Sequence, residues 1–151
     1  MTNKDPNTDT YVWYNHNPKN RKTGDCVIRA ISKALDQTWD DTLDGLVEIS
    51  HATKYNVTSS ECYTRYLQKH GYIKHKQLRK SDNTKYTGEE FCHYLAYSGV
   101  TNPVIAHIGS HHISLFGNFD GEGIKCHDIW NPNEYCVGVF WITSEDYAKL
   151  H

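Results

Sequence analysis

The chain has 151 residues, with 16 Lys plus Arg against 18 Asp plus Glu and a formal charge of −2. Such a balance supplies neither the basic field of a nucleic-acid binder nor an acidic tail, so partners have to be read from sites. No apolar run approaches the ~18 residues of a membrane span, and the opening MTNKDPNTDT lacks a signal-peptide core; the expectation is one soluble domain made in the cytosol.

Residues 1–20 are rich in Asn, Lys, Thr, Asp and Pro and read as an extended arm, anchored to the body by the aromatic tetrad YVWY at 11–14. The body is expected over 21–151. Its first helix begins at Cys26, because Val27, Ala30, Ile31, Ala34 and Leu35 recur at the spacing of a single helix face. Thr38 with Asp41 suggests a capped second helix over about 39–50, carrying Trp39, Leu43, Leu46 and Val47 inward. Ser59 or Ser60 can cap a third, with Tyr63, Tyr66 and Leu67 inward and Gly71 as its stop signal. The polar run HKQLRKSDNTKYTG reads as a loop, and Thr87 with Glu90 forms a capping-box pattern for a fourth helix ending near Gly99.

From Pro103 the periodicity changes. PVIAHIG, HHISLFG, GIKCHDIW and VGVFWI are short β-branched and aromatic runs separated by turn residues, and they read as consecutive antiparallel strands. Helices followed by strands predict an α+β domain, with N-terminal helices packed on a C-terminal antiparallel sheet and a cleft between the two parts.

The five cysteines, Cys26, Cys62, Cys92, Cys126 and Cys136, form no CxxC pair and no zinc-finger spacing, which argues against a disulfide framework or a structural zinc site. Cys126 and His127 are adjacent in a strand and point to opposite faces, so they are poorly placed to share a metal. Cys62 and Cys92 sit among apolar helix residues and read as small hydrophobes. His51, His70, His75 and His93 lie in polar contexts and are expected at the surface. Trp130, Tyr135, Phe140 and Trp141 read as core and rim packing. Arg29 is read as an ion-pair partner for the arm or a loop, with no catalytic task required of it.

Cys26 differs from the other cysteines in its position. A thiol at a helix N-terminus has its anion favoured by the unpaired N–H groups there, and the thiolate is the nucleophilic form. A nucleophile needs a base within reach and a group to orient that base; His112 and Asp128 are the candidates. If the strands at 111–117 and 122–129 join through a three-residue turn at Phe119, Asp120 and Gly121, His112 faces Asp128 on one side of the sheet. A two-residue Asp-Gly turn would instead bring His111 to that face. The pattern favours His112 and leaves His111 open.

The order GDCVIRA, HHISLF, HDIWNP resembles that of the papain-like cysteine peptidases, particularly their small bacterial and phage members, over roughly residues 20–142. On that resemblance Cys26 is the nucleophile, His112 the general base and acid, and Asp128 the group orienting the imidazole, with Asn131 as a weaker substitute for Asp128. The family draws an oxyanion donor from a side-chain amide, usually Gln, ahead of the cysteine; no Gln precedes Cys26, and Asn20 and Asn17 are the available amides. The resemblance implies hydrolysis of a peptide or isopeptide bond in a protein or peptide substrate. It involves no metal or other cofactor, no nucleic acid and no membrane, and implies a bacterial cytoplasm, or the host's if the protein is phage-encoded. Deamidation or acyl transfer by the same triad is an alternative, as is a non-catalytic binding protein on the same scaffold.

Overall fold

A computed structural model describes residues 4–150; the first three residues of the expected arm and residue 151 lie outside them. Among the described residues the chain runs β1 (Tyr11–Trp13), α1 (Cys26–Ala34), α2 (Trp39–Thr53), α3 (Ser60–Lys69), β2 (Tyr72–His75), α4 (Gly88–Ser98), β3 (Val104–Ile108), β4 (His112–Gly117), β5 (Lys125–Asp128), β6 (Val137–Thr143) and α5 (Ser144–Tyr147). The domain is α+β. No helix among the described residues is long and apolar enough to cross a membrane.

The helix boundaries follow local chemistry. Thr38 accepts from the Asp41 N–H at the start of α2, and Ser59 does the same for Cys62 at the start of α3. Thr87 and Glu90 close a reciprocal capping box at the start of α4, and Gly99 ends that helix at φ 80°, a left-handed conformation that costs glycine little. In each case the side chain or backbone that satisfies the end lies within a few residues, so the sequence pattern suffices to place it.

The strands form one sheet in the order β1-β5-β4-β3-β6-β2. Alternation along β4 sends Ile113 and Leu115 to one face, where they join Val27, Ile31, Leu46, Tyr63, Leu67 and Trp141 beneath α1–α3. Phe116 goes to the other face and meets Phe91, Leu95, Phe140, Ile142 and Cys126 against α4. Burial of each such side chain contributes ~1.5–3 kcal/mol, so both faces of the sheet are stabilised by helices.

The sheet departs from the expected antiparallel one in several respects. It is mixed: β1, from within the presumed arm, pairs parallel with β5, and β2 adds a strand at the opposite edge through antiparallel pairing with β6. The last strand does not follow β5 but returns to pair with β3. A further short helix, α5, follows it. The connection between β4 and β5 spans residues 118–124 in place of the three-residue turn, and Phe116 stands opposite Cys126, so Asp128 aligns with position 114, not 112. This shift of two residues preserves the parity of the register, and His112 and Asp128 remain diagonal neighbours. His75 is half-buried and stacks on Phe140 with ring centroids 4.7 Å apart, contrary to its expected exposure.

Candidate active site

Asp25, at the N-cap of α1, makes no side-chain cap hydrogen bond. Its carboxylate instead accepts from Arg29 Nε at 2.8 Å, Trp39 Nε1 at 2.9 Å and Asn17 Nδ2 at 3.0 Å. The N–H groups of the first turn are therefore not taken up by the capping side chain and keep their attraction for negative charge. Cys26, the first residue of that turn, is partly buried.

His112 opens β4 just after the turn at 109–111, and Asp128 closes β5. The imidazole Nε2 lies 2.5 Å from Asp128 Oδ2. The ring also lies close enough to the Cys26 thiol to favour its anion; with Nε2 occupied by Asp128, Nδ1 is the nitrogen left to serve the sulfur. Trp130 covers the imidazole edge-on at 5.0 Å between centroids.

Asp128 is 3% exposed and accepts four hydrogen bonds. Besides His112 the donors are Ser114 Oγ at 2.7 Å, Arg29 Nη1 at 3.1 Å and the Ile129 N–H at 2.7 Å. Burial, the largest single influence, opposes its ionisation, yet the bonds from His112 and Ser114 and the charges of His112 and Arg29 hold its proton affinity below that of an ordinary carboxylate. An ionised Asp128 accepts from Nε2–H, which fixes the ring's orientation and leaves Nδ1 to exchange a proton with sulfur.

The thiol and imidazole are shifted in opposite directions. For Cys26, burial again disfavours the anion most strongly, but the bonds from His112 and the Ile113 N–H and the charges of His112 and Arg29 outweigh it, and the pKa falls. For His112, burial disfavours the cation and is outweighed by Asp128 and Cys26, raising the pKa to about 9. Both shifts favour a thiolate–imidazolium pair. The buried cysteines behave otherwise: burial raises Cys62, pushes Cys92 up to about 12 and raises Cys126 strongly. Cys26 thus differs from these three in that its surroundings lower the thiol pKa and do not raise it.

The structure brings Cys26, His112 and Asp128 together and leaves the other candidates elsewhere. His111 is exposed in the hairpin turn. Asn131 lies beyond β5, its side chain accepting from the Asn133 N–H at 3.0 Å. Asn17 directs its amide nitrogen to Asp25 and accepts from the Lys19 N–H at 2.9 Å. Asn20 is exposed at φ 54° in a turn that its N–H closes to the Asn17 carbonyl. The backbone N–H of Cys26, at the first position of α1, has no acceptor within the helix.

Three participants were not assigned to the site from sequence: Arg29 linking Asp25 to Asp128, Ser114 supporting Asp128, and Trp130 covering His112. The Asp25–Arg29 spacing of four residues and the alternation that puts Ser114 on the face of His112 were readable signals. Among the described residues no group of three or more His, Cys, Asp or Glu side chains is placed to hold a metal ion. In comparisons with known proteins, no family model, no curated protein and no solved structure matches this chain.

Proposed function

We propose that the protein is a papain-like cysteine peptidase that hydrolyses a peptide or isopeptide bond through Cys26, His112 and Asp128. The observation that carries this reading is the His112–Asp128 hydrogen bond beside a thiol at the first position of α1, whose pKa the imidazole lowers. In the reaction, the Cys26 thiolate attacks the carbonyl carbon, and the developing oxyanion is stabilised by the Cys26 N–H and the positive end of α1. Imidazolium His112 then donates its proton to the departing amine, leaving a thioester. A water molecule, deprotonated by His112, attacks the thioester and releases the acid and the thiol.

The pH profile of Cys26 alkylation by iodoacetamide, read by mass spectrometry in wild type and His112→Ala, tests the first requirement. A Cys26 pKa below the ordinary ~8.5 that returns toward it in the variant supports a working pair. Cleavage of a capped peptide library, lost in Cys26→Ala, tests the reaction itself. An ordinary, His112-independent thiol together with no cleavage would overturn the reading.

A further inference from the structure

A cleft of about 480 Å³ has Val27, the residue after Cys26, in its wall, and the sheet register explains its lining. Lys74 pairs with Trp141 across β2 and β6, and His107 pairs with Ile113 across β3 and β4, so these side chains share the face that carries α1–α3. Where the helices begin, that face is uncovered: Val27 in the first turn of α1 and Ser60 at the start of α3 form the walls. Half-buried Val139, with the edges of the buried Ile113 and Trp141, makes an apolar floor. His107, at the point where the β3–β6 register slips, lines the cleft together with His111 and Lys74.

None of the residues lining the cleft is Asp or Glu. Lys74 is exposed, lies with its ammonium 5.8 Å from the Trp141 ring centre and has no carboxylate partner among the described residues. Glu61 lines the adjoining recess, which Arg65 and Lys74 also line, and makes no ion pair with either. Burial, and then the proximity of His111 and His112, lowers the pKa of His107. The cleft therefore combines an apolar floor with an ammonium that has no ion-paired carboxylate, which together complement a ligand that is apolar in one part and anionic in another.

We propose that this cleft selects acidic peptide substrates: an apolar or aromatic side chain rests on the Ile113–Trp141 floor, and a neighbouring Asp or Glu carboxylate meets Lys74 and His111. The assignment rests on the peptidase reading, since Val27 of the cleft wall follows Cys26 in the chain, but its test need not depend on turnover.

The probes are three capped hexapeptides that differ only in Glu, Gln or Lys beside a fixed Phe, titrated calorimetrically into Cys26→Ala protein. The Glu peptide is expected to bind about fivefold more tightly than the Gln peptide, the Lys peptide most weakly, with the spread narrowing in high salt as exposed ion pairs are screened. Lys74→Glu, at an exposed position that leaves the core intact, should reverse the order. Equal affinities for the Glu and Lys peptides, an order unchanged by Lys74→Glu, or binding of none of the three at millimolar concentration would each overturn the proposal. Preferential binding of the Glu peptide to Cys26→Ala, with no cleavage of it by wild type, would support the cleft assignment and count against the peptidase reading.

Discussion

Arg29 and Asp128 form a buried ion pair, Nη1 to Oδ1 at 3.1 Å, that ties the helix carrying the thiol to the strand carrying the acid. The same guanidinium holds Asp25 through Nε at 2.8 Å, and each member of the cluster is under one-tenth exposed. A planar fork with several donors suits this bridging position, whereas an ammonium can reproduce the charge and only part of the geometry.

Arg29→Met removes the cation between two buried carboxylates, and loss of one partner from a buried pair costs about 3–5 kcal/mol. Urea unfolding should show a loss in that range, with Arg29→Lys recovering part of it. Because the Arg29 charge helps to lower the Cys26 pKa, the alkylation midpoint should also move to higher pH in Arg29→Met. A stability loss with an unmoved midpoint would restrict Arg29 to a structural role.

Asp128→Asn retains the shape of the acid and removes the charge that supports the imidazolium. The His112 pKa should fall from about 9, and the Cys26 pKa should rise with loss of the cationic partner. A rise in the thiol pKa reduces the thiolate fraction below that pKa, so iodoacetamide labelling at pH 6.5 should slow several-fold. Ser114→Ala deletes a bond to the same carboxylate, and the effect should have the same direction and be smaller. Unchanged labelling in Asp128→Asn would remove the acid from the triad.

The pH dependence of stability carries a signature of the pair. His112, raised to about 9 from an unfolded value near ~6.5, contributes stability that is complete below ~6.5 and lost as pH rises through about 9. Cys26, shifted down from an unfolded value near ~8.5, contributes in the opposite sense: its stability is present above ~8.5 and lost as pH falls through the folded pKa. Across the neutral interval the proton leaving sulfur is held by the imidazole, and the two slopes oppose each other. Wild-type urea midpoints should therefore be nearly level between about pH 6.5 and 8.5, while Cys26→Ala, which leaves His112 with Asp128 alone, should decline with pH over that range. Parallel slopes in the two proteins would show that the titrations are not coupled.

The segment preceding α1 also supports the site. Tyr11 Oη and the Tyr14 N–H both donate to the Asp128 carbonyl at 2.9 Å. Tyr11→Phe leaves one of these bonds and should cost about 1 kcal/mol by urea unfolding, with slower Cys26 labelling at neutral pH. Removing residues 4–14 deletes β1 and exposes the edge of β5, so labelling at neutral pH should fall further. An increase on truncation would mean that this segment obstructs the thiol and does not support the acid.

By itself the sequence determined the parts governed by short-range chemistry. Thr38, Ser59 and the Thr87–Glu90 box set helix starts, the apolar stripe from Val27 to Leu35 placed α1, and the alternation of β4 separated Ile113 and Leu115 from Phe116. It also singled out Cys26, His112 and Asp128, and the tertiary structure brings these side chains together, with His112 hydrogen-bonded to Asp128. That result tolerated an incorrect turn length because side chains in a strand repeat every second residue, so a shift of two kept His112 and Asp128 on one face. Only the tertiary structure decided what depends on distant pairing: the parallel addition of β1 to β5, the return of β6 to β3, and the buried link from Asp25 through Arg29 to Asp128. A three-residue strand carries too little periodicity to be read locally. The partner of Arg29, ninety-nine positions away, comes within reach only when α1 and β5 meet in the folded domain.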